Sequence, residues 1–331
     1  MGSQPGSEAA RATFIPLDLS CFPPFTEAEA RAAIDKLQTG KMPGVDKVPA
    51  ELAKAFPDMF ARQATAKLTA ALETGVLPEE WRVARGHTLA KVKEPRADEP
   101  TDYRMIAALP TEAKIATYMV LSRLRGCLTP HIPSQQTGFA PHTRVEIAVT
   151  GVSSFFRQNE LKGTPTLLTA VSVRKAFDTV DRTIFHRKPE EANIPPALLR
   201  LLKSYLGRTA VKLPSRDIHY TRGVLQGCVL SPLLFTLYTS SIVNVVPVGP
   251  DGEQTQVLFA YADDLLLAST KPTVHADALG RICDAVGQVK LTIHPQKCQT
   301  LVCSSEKASA EAAMQEAEAA LLARGSPLAP L

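Results

Sequence analysis

The sequence lacks several features that would assign it to a specialised class of protein. Its six cysteines are scattered, without a Cys-x-x-Cys pair or a His/Cys pair at zinc-finger spacing, so neither a zinc site nor a disulfide framework is predicted. No apolar run approaches the roughly 18 residues of a membrane span. The N-terminal stretch has no apolar core of signal-peptide length, and Gly6 stands where a myristoylation motif needs a hydroxyl residue. We therefore expect an intracellular protein with reduced thiols and no membrane partner.

The chain also lacks a strong net charge. The 331 residues carry a formal net charge of +4, and 45% of them are hydrophobic, which is typical of a globular protein with a sizeable core. The mild basic balance is compatible with a polyanionic partner but does not demand one. No internal repeat and no clear basic localisation cluster is evident. Length alone allows one large domain or two modest ones.

The pattern of apolar residues and capping signals predicts the elements of the first part of the chain. Residues 1–24 are small, polar and Pro-containing, and we interpret them as a flexible lead-in. Four helices are predicted: one that Thr26 and Glu29 begin as a capping box and that ends near Gly40, one from about Pro49, one that ends at Gly75, and one over 111–128.

Strands and helices alternate in the rest of the chain. We predict a buried strand over 164–173, helices over 177–185 and 195–206, a hairpin over 210–224, a helix over 232–246, a hairpin over 255–270, two short strands within 289–304 and a peripheral Ala/Glu-rich helix from 305 on. This mixture predicts an α+β fold, in which an antiparallel sheet has helices packed on one face.

The stretch "FAYADDLLLAS" places two adjacent carboxylates, Asp263 and Asp264, in an apolar run. Burying them without partners would be unfavourable. At the bend of a hairpin at least one carboxylate could face a cleft floor, where Mg²⁺ would suit its oxygen atoms. The alternative is an exposed turn in which aspartate is simply favoured.

Two further stretches carry residues typical of a site. "GVLQGCVLSPLLFTLY", residues 223–238, contains glycines that let a backbone approach a ligand closely, before a helix that begins at Ser-Pro. "VSVRKAFDTVD", residues 171–181, ends a buried strand in polar groups. Either stretch alone could equally be an ordinary connection.

Taken in order, these motifs resemble the reverse transcriptase domain of non-LTR retrotransposons, of the kind that insert at ribosomal or trypanosomatid spliced-leader sites. The resemblance covers roughly residues 25–304. Seven blocks carry it: "GKMPGVDKVPAELAKAF", "DYRMIAALPTEAKIATYMVLSRL", "QQTGFAPHTR", "VRKAFDTVD", "GVLQGCVLSP", "YADD" and "HPQKCQTLVC".

The resemblance implies a right-hand polymerase fold, with helical fingers, a palm built on an antiparallel sheet, and a thumb largely absent. The implied division is a lead-in over 1–24, fingers and a fingers-palm region over 25–160, a palm over 161–304, and a C-terminal helix and tail over 305–331. No endonuclease or zinc-knuckle signature is present. The implied reaction adds deoxynucleoside triphosphates to a DNA primer along an RNA template, in the nucleus, with two Mg²⁺ ions.

The resemblance also implies roles for single residues. Asp263 and Asp264 would bind metal. Phe177 falls where the family keeps an aromatic ring against the sugar, and Gln226 and Gly227 fall beside the incoming base and template. Lys91 and Arg104 would contact triphosphate or template, and Lys297 would be a general acid or a phosphate contact. For each of these three, a solvated surface charge is the alternative.

The chain departs from the family pattern at its third metal-binding position, where Ser172 replaces aspartate. A neutral hydroxyl is a poorer Mg²⁺ ligand than a carboxylate, so weakened metal binding and impaired catalysis are expected. Asp178 and Asp181 lie on a different element and should not fill the gap. Four other departures from the pattern are Met105, Ala140, Leu225 and His294.

Three hypotheses follow from this combination. The first is an RNA-directed DNA polymerase domain from a degenerate retrotransposon copy, impaired at Ser172. The second is a non-catalytic nucleic-acid-binding scaffold with a polymerase-like fold. The third is a pseudogene product that scarcely folds.

Overall fold

The structure, a computed structural model, describes residues 22–99, 102–139, 143–185, 194–207, 209–214, 216–246, 255–304 and 306–328. Almost all of the predicted lead-in over 1–24, as well as Ala140, lies outside these ranges. Mixed helices and two four-stranded sheets confirm the α+β class. Within the described ranges, no helix is both long and apolar enough to cross a lipid bilayer.

Helices dominate the N-terminal part, as predicted. They are α1 (Glu27–Asp35), α2 (Ala50–Ala55), α3 (Pro57–Thr74) and α4 (Thr111–Leu128). The predicted capping box is confirmed, because Glu29 N donates to Thr26 Oγ1 over 3.2 Å and Thr26 N donates to Glu29 Oε2 over 2.9 Å. The first helix ends at Asp35, earlier than the predicted Gly40, whereas α3 ends at Gly75, whose φ of 71° is left-handed.

The loop that contains Gly44 docks on the start of α4. Asp46 Oδ2 accepts from Thr111 N over 2.8 Å, and Thr111 Oγ1 donates to Val48 O over 2.6 Å. A Cβ atom on Gly44 would lie 2.4 Å from the backbone nitrogen of Pro110. Glycine is therefore required here by the close approach of two backbones.

The first sheet joins strands that are far apart in sequence. Its order is β2-β1-β4-β5, formed by β1 (Val83–Ala90), β2 (Tyr103–Ala108), β4 (Thr209–Lys212) and β5 (Asp217–Tyr220). The hairpin of β4 and β5 confirms the prediction over 210–224, but the antiparallel hairpin of β1 and β2 was not predicted. β4 pairs with β1 in parallel, so this sheet takes strands from both sides of residue 160.

The second sheet is antiparallel throughout, as predicted. Its order is β6-β7-β3-β8, formed by β3 (Thr166–Ser172), β6 (Gln256–Tyr261), β7 (Asp264–Ser269) and β8 (Gln299–Cys303). Of the two strands predicted within 289–304 only β8 forms, because Ile293 makes just an isolated bridge with Val173.

Helices cover both faces of this sheet, so the prediction that they pack on one face was wrong. The helix α5 (Val145–Glu160) places Phe155 against Leu168, Val257 and Ala268 on one face. The opposite face, which includes Leu258, Leu265 and Leu267, packs into the main core with α9 (Leu230–Val243) and α10 (Pro272–Gln288). The reason is that β3, β6 and β7 carry apolar residues on both faces.

The remaining helices within the described residues are α6 (Ala176–Thr179), α7 (Arg182–Phe185), α8 (Pro196–Gly207) and α11 (Lys307–Ala323), with 3₁₀ turns at Glu79–Arg82, Thr129–His131 and Pro295–Lys297. α9 is buried almost all round and has Pro232 in its first turn, as predicted. α11 packs on α10 and β8 through Ala313, Ala317 and Leu321.

Two buried polar side chains tie elements together. Arg182 donates to the carbonyl groups of Gly223 (2.9 Å), Tyr220 (2.7 Å) and Leu206, and so joins α7 to α8 and β5. His275 of α10 lies between hydroxyl groups of the second sheet, in contacts of 2.7 Å from Nε2 to Thr169 Oγ1 and 2.8 Å from Nδ1 to Ser269 Oγ. Both side chains satisfy polar groups that burial would otherwise leave unpaired.

Candidate active site

The two-residue turn between β6 and β7 carries the acidic pair. Asp263 is the second residue of this turn and is half-buried, whereas Asp264 begins β7 and is exposed. In the ladder, Asp264 lies opposite Tyr261 of β6 on one side and opposite Ser172, the last residue of β3, on the other. Directly opposed residues hold their Cβ atoms about 4.5–5.5 Å apart on one face of a sheet. The serine therefore lies beside the acidic pair.

A groove of about 770 Å³ opens on the sheet face that carries Ser172 and Asp264. Its floor is formed by the ends of β3, β6 and β7. One wall is the N-terminal part of α5, with Val145 and Val149, and another is the segment before β8, with Lys297. Ser172, Asp264 and Lys297 thus line one groove together with apolar residues.

The carboxyl group of Asp263 has a raised pKa. Burial raises its pKa, and the negative charge of Asp264 acts in the same direction. Its own backbone N–H and the positive charges of Arg104 and Lys297 lower the pKa and offset part of that effect. Two of the predicted basic residues thus act on Asp263, although they come from β2 and from the segment before β8. A bound cation would further favour the ionised carboxylate.

The donor set at this turn suits one divalent cation. Asp263 and Asp264 supply carboxylate oxygen atoms, of the kind that Mg²⁺ takes together with water and substrate phosphates. Ser172 adds only a neutral hydroxyl. In the part of the chain that the structure describes, no group of three or more His, Cys, Asp or Glu side chains could hold a metal ion. A second ion that needs a bridging carboxylate does not fit these residues.

Neighbouring acidic side chains bind other partners. Asp178 Oδ1 accepts from Gln226 Nε2 over 3.0 Å. Asp181 accepts from Lys290 Nζ over 2.6 Å and from Thr183, and the Lys290 hydrogen bond is the main cause that holds the pKa of Asp181 far below its usual range. These contacts agree with the expectation that neither residue replaces the missing aspartate.

A row of aromatic rings leads to the turn. Phe177 on α6 stacks on Phe235 of α9, with ring centroids 4.5 Å apart and an interplanar angle of 14°. Phe139 meets the Phe177 ring edge-on at 6.2 Å and lies 6.3 Å from the Tyr261 ring. Phe177, the residue predicted to face a sugar, is therefore held by α9. The rings of Phe139 and Tyr261 connect it to the acidic turn.

Gln226 and Gly227 lie in the loop before α9, docked on β2. Gln226 O accepts from Ala107 N over 2.7 Å. Gly227 has a φ of 109°, and a Cβ atom there would lie 2.7 Å from Ala107 O. This glycine thus permits a close approach to the backbone of β2, and its place beside base and template stays a prediction. Lys91 lies just beyond β1, where its backbone nitrogen donates to Asp102 O over 2.8 Å.

Residues 135–138 begin the motif "QQTGFAPHTR", but no role is predicted for them from the sequence. Gln136 is 1% exposed, and its side chain contacts the backbone of Ala262 in the acidic turn. The sequence alone carries no signal for it, because the burial of the amide and the close approach of Gly138 to Ala262 N, 2.4 Å from its Cβ position, appear only in the folded structure.

Three of the four further departures from the family pattern lie in described residues. Leu225 is buried in the core, and Met105 packs against that core. His294 N donates to Ser172 O over 2.8 Å, directly beside the serine. Ala140 lies outside the described residues.

The family is shown by comparison with known proteins. The family model described as "Reverse transcriptase (RNA-dependent DNA polymerase)" matches residues 91–320, which is more than half of the chain. The chain therefore belongs to the reverse transcriptase family. It is 25% identical over 262 residues to the RNA-directed DNA polymerase from mobile element jockey of Drosophila melanogaster, and 28% identical over 267 residues to a probable RNA-directed DNA polymerase from transposon X-element of the same species.

A third relative is also encoded by a retrotransposable element. The Pol polyprotein from the type-2 retrotransposable element R2DM, also from Drosophila melanogaster, is 24% identical over 311 residues. The matches cover 77%, 78% and 90% of this chain, respectively, but 28% of each relative. The chain is a reverse transcriptase domain of the non-LTR retrotransposon kind and spans about 28% of the length of these relatives. Insertion of the element at ribosomal or spliced-leader sites stays a prediction.

Proposed function

We propose that this chain is the RNA-directed DNA polymerase domain of a retrotransposon copy in which nucleotidyl transfer is impaired at Ser172. One observation carries the proposal. Ser172 is paired directly with Asp264 across β3 and β7 and lines the same groove, which supports its assignment to the position of the missing third carboxylate.

The proposed architecture is the right-hand polymerase arrangement, with fingers and a fingers-palm region over 25–160, a palm over 161–304 and a C-terminal segment over 305–331. The antiparallel sheet β6-β7-β3-β8, with the acidic turn at one end, supports the assignment of the palm. The helices α1–α4 and the hairpin of β1 and β2 support the assignment of the fingers.

The proposed partners are an RNA template, a DNA primer and deoxynucleoside triphosphates, in the nucleus. Asp263 and Asp264 would hold a Mg²⁺ ion, which when bound activates a hydroxyl nucleophile and stabilises phosphoryl charge. Lys297 and Arg104 lie near enough to act on the Asp263 charge and would orient phosphate groups. Lys91 would add positive charge along the bound strands.

The remaining proposed contacts concern the nucleotide itself. Phe177 would lie against the sugar, because its ring is fixed by the stack on Phe235. Gln226 and Gly227 would lie beside the base, because their loop is docked on β2 next to Asp178.

Impairment follows from charge. Serine contributes no negative charge at neutral pH, so cations at this turn meet two carboxylates where the family pattern has three. If the missing carboxylate accounts for about 4 kcal/mol of transition-state stabilisation, the rate falls roughly a thousand-fold.

The test is a primer-extension assay on a poly-ribonucleotide template with Mg²⁺, in which the native chain is compared with Ser172→Asp and Ser172→Asn. We expect negligible extension by the native chain and partial recovery in Ser172→Asp. Ser172→Asn is the matched control, because it has the size of aspartate without its charge, and it should stay inactive. Robust extension by the native chain would refute the impairment.

A second candidate function is a non-catalytic nucleic-acid scaffold. It is favoured by the neutral hydroxyl group of Ser172 opposite Asp264, beside Arg104 and Lys297, whose positive charges act on Asp263 and would also attract a polyanion. This function predicts RNA binding that persists in a chelator and weakens steeply with salt. Binding of this kind, together with no extension by Ser172→Asp, would select the scaffold over the polymerase.

A further inference from the structure

The backbone that carries Asp263 is held in an unfavourable conformation. Ala262, the first residue of the turn, has a φ of 59°. L-residues with a side chain seldom adopt this region, and such strain persists only where surrounding contacts maintain it. Some part of the structure must therefore hold Ala262 in place, because the direction of the next side chain, Asp263, depends on it.

The side chain of Gln136 contacts both polar backbone groups of Ala262. Its Oε1 accepts from Ala262 N over 3.1 Å, and its Nε2 donates to Ala262 O over 3.4 Å. The same Oε1 accepts from Gly138 N over 3.0 Å, which fixes the amide within its own loop. A buried primary amide supplies the acceptor and the donor together, which neither a carboxylate nor an apolar side chain does.

The loop that presents Gln136 is anchored without this side chain. Ala260 N donates to Gln135 O over 2.9 Å, and Thr137 N donates to Ala260 O over 2.7 Å, so residues 135–137 run beside β6 like a short extra strand. Thr137 Oγ1 adds a 3.0 Å hydrogen bond to Ala260 O. Removing the Gln136 amide should therefore release the turn while the loop stays in place.

We infer that Gln136 is a positioning residue, which holds Ala262 in its left-handed conformation and so sets the direction of the Asp263 carboxylate relative to Asp264. The inference rests on the proposed function, in which these two carboxylates bind a divalent cation. Side chains that orient metal ligands through one intervening group typically change metal affinity by about 10–100-fold when they are replaced.

The test measures Mn²⁺ affinity by electron paramagnetic resonance, with the full chain and with Ser172→Asp. Gln136→Met keeps the length of the side chain and removes the amide. Thr137→Val is the matched control, because it removes one buried hydrogen bond of the same loop but none to Ala262. Asp263→Asn identifies the signal that belongs to this turn. Thermal unfolding of each variant shows that it is folded.

We expect Gln136→Met to weaken Mn²⁺ binding by roughly ten-fold or more, and Thr137→Val to stay within about two-fold of the parent chain, although both lower the melting temperature. Equal losses in the two variants, an unchanged affinity in Gln136→Met, or no Asp263-dependent Mn²⁺ binding in either parent chain would each overturn the inference. Primer extension by Ser172→Asp reports separately on the proposed polymerase function, which can fail while the Mn²⁺ result stands.

Discussion

Replacing His275 by glutamine should remove one source of acid sensitivity from the fold. His275 is fully buried on α10, between the hydroxyl groups of Thr169 and Ser269. Burial lowers its pKa from 6.5 to about 4. Neither hydroxyl is acidic, so these contacts supply no negative charge to balance a protonated ring. The imidazole is therefore held neutral in the folded protein.

The sign and the size of the effect follow from proton linkage. Between pH 6.5 and 4 the unfolded chain binds a proton at this ring that the folded chain does not. The contribution is negligible above pH 7, and stability is lost as the pH falls through 6.5 towards 4. The complete loss corresponds to about 3 kcal/mol, of which about 2 kcal/mol has already occurred at pH 5.

The assay is urea unfolding at pH 7 and pH 5, followed by the fluorescence of Trp81 and by circular dichroism. Carboxyl groups titrate in both proteins, so the difference between the native chain and His275→Gln isolates the ring. The native chain should lose about 2 kcal/mol more than the variant between these pH values. His131→Gln, at an exposed position, is the control and should follow the native chain. Equal losses in the native chain and His275→Gln, or an NMR titration of the folded His275 near pH 6.5, would refute the reasoning.

Two further predictions concern backbone contacts. Arg182→Met should destabilise the protein by on the order of 3 kcal/mol in urea unfolding, because three backbone carbonyl groups lose a buried donor. The control is Arg222→Met, at an exposed site, which should cost less than about 1 kcal/mol. Gly44→Ala should lower stability by roughly 1–3 kcal/mol in a thermal melt, because its Cβ atom would meet the backbone of Pro110, whereas Gly126→Ala has open space on α4 and should be neutral or stabilising. A Gly44→Ala variant as stable as Gly126→Ala would contradict the steric argument.

Local signals explain which elements were predictable. The bounds of α4 and the end of α3 at Gly75 follow from capping and apolar periodicity within a few residues. The hairpin of β6 and β7 follows from two apolar arms around a polar bend. β1 and β2 were missed because a long connection, residues 91–102, separates them, and because β4, the other partner of β1, lies more than 100 residues later. α5 was missed because its many β-branched residues favour a strand, whereas packing of Phe155 on the second sheet favours the helix.

The candidate site likewise has some features that the sequence could predict and others that it could not. The position of Ser172 beside Asp264 could be predicted, because a motif defines each strand end. The influence of Arg104 and Lys297 on Asp263 could not, because the three residues come from different elements and no sequence spacing relates them. The contact of Gln136 with Ala262 spans 126 residues and was equally invisible.

The parallel pair of β1 and β4 has a consequence for anyone who wishes to dissect this molecule. Cutting the chain after residue 160 would separate the two partners and leave each piece with a bare strand edge, which invites aggregation. Isolated halves are therefore poor reagents, and a split version should be produced as two complementing polypeptides in the same cell.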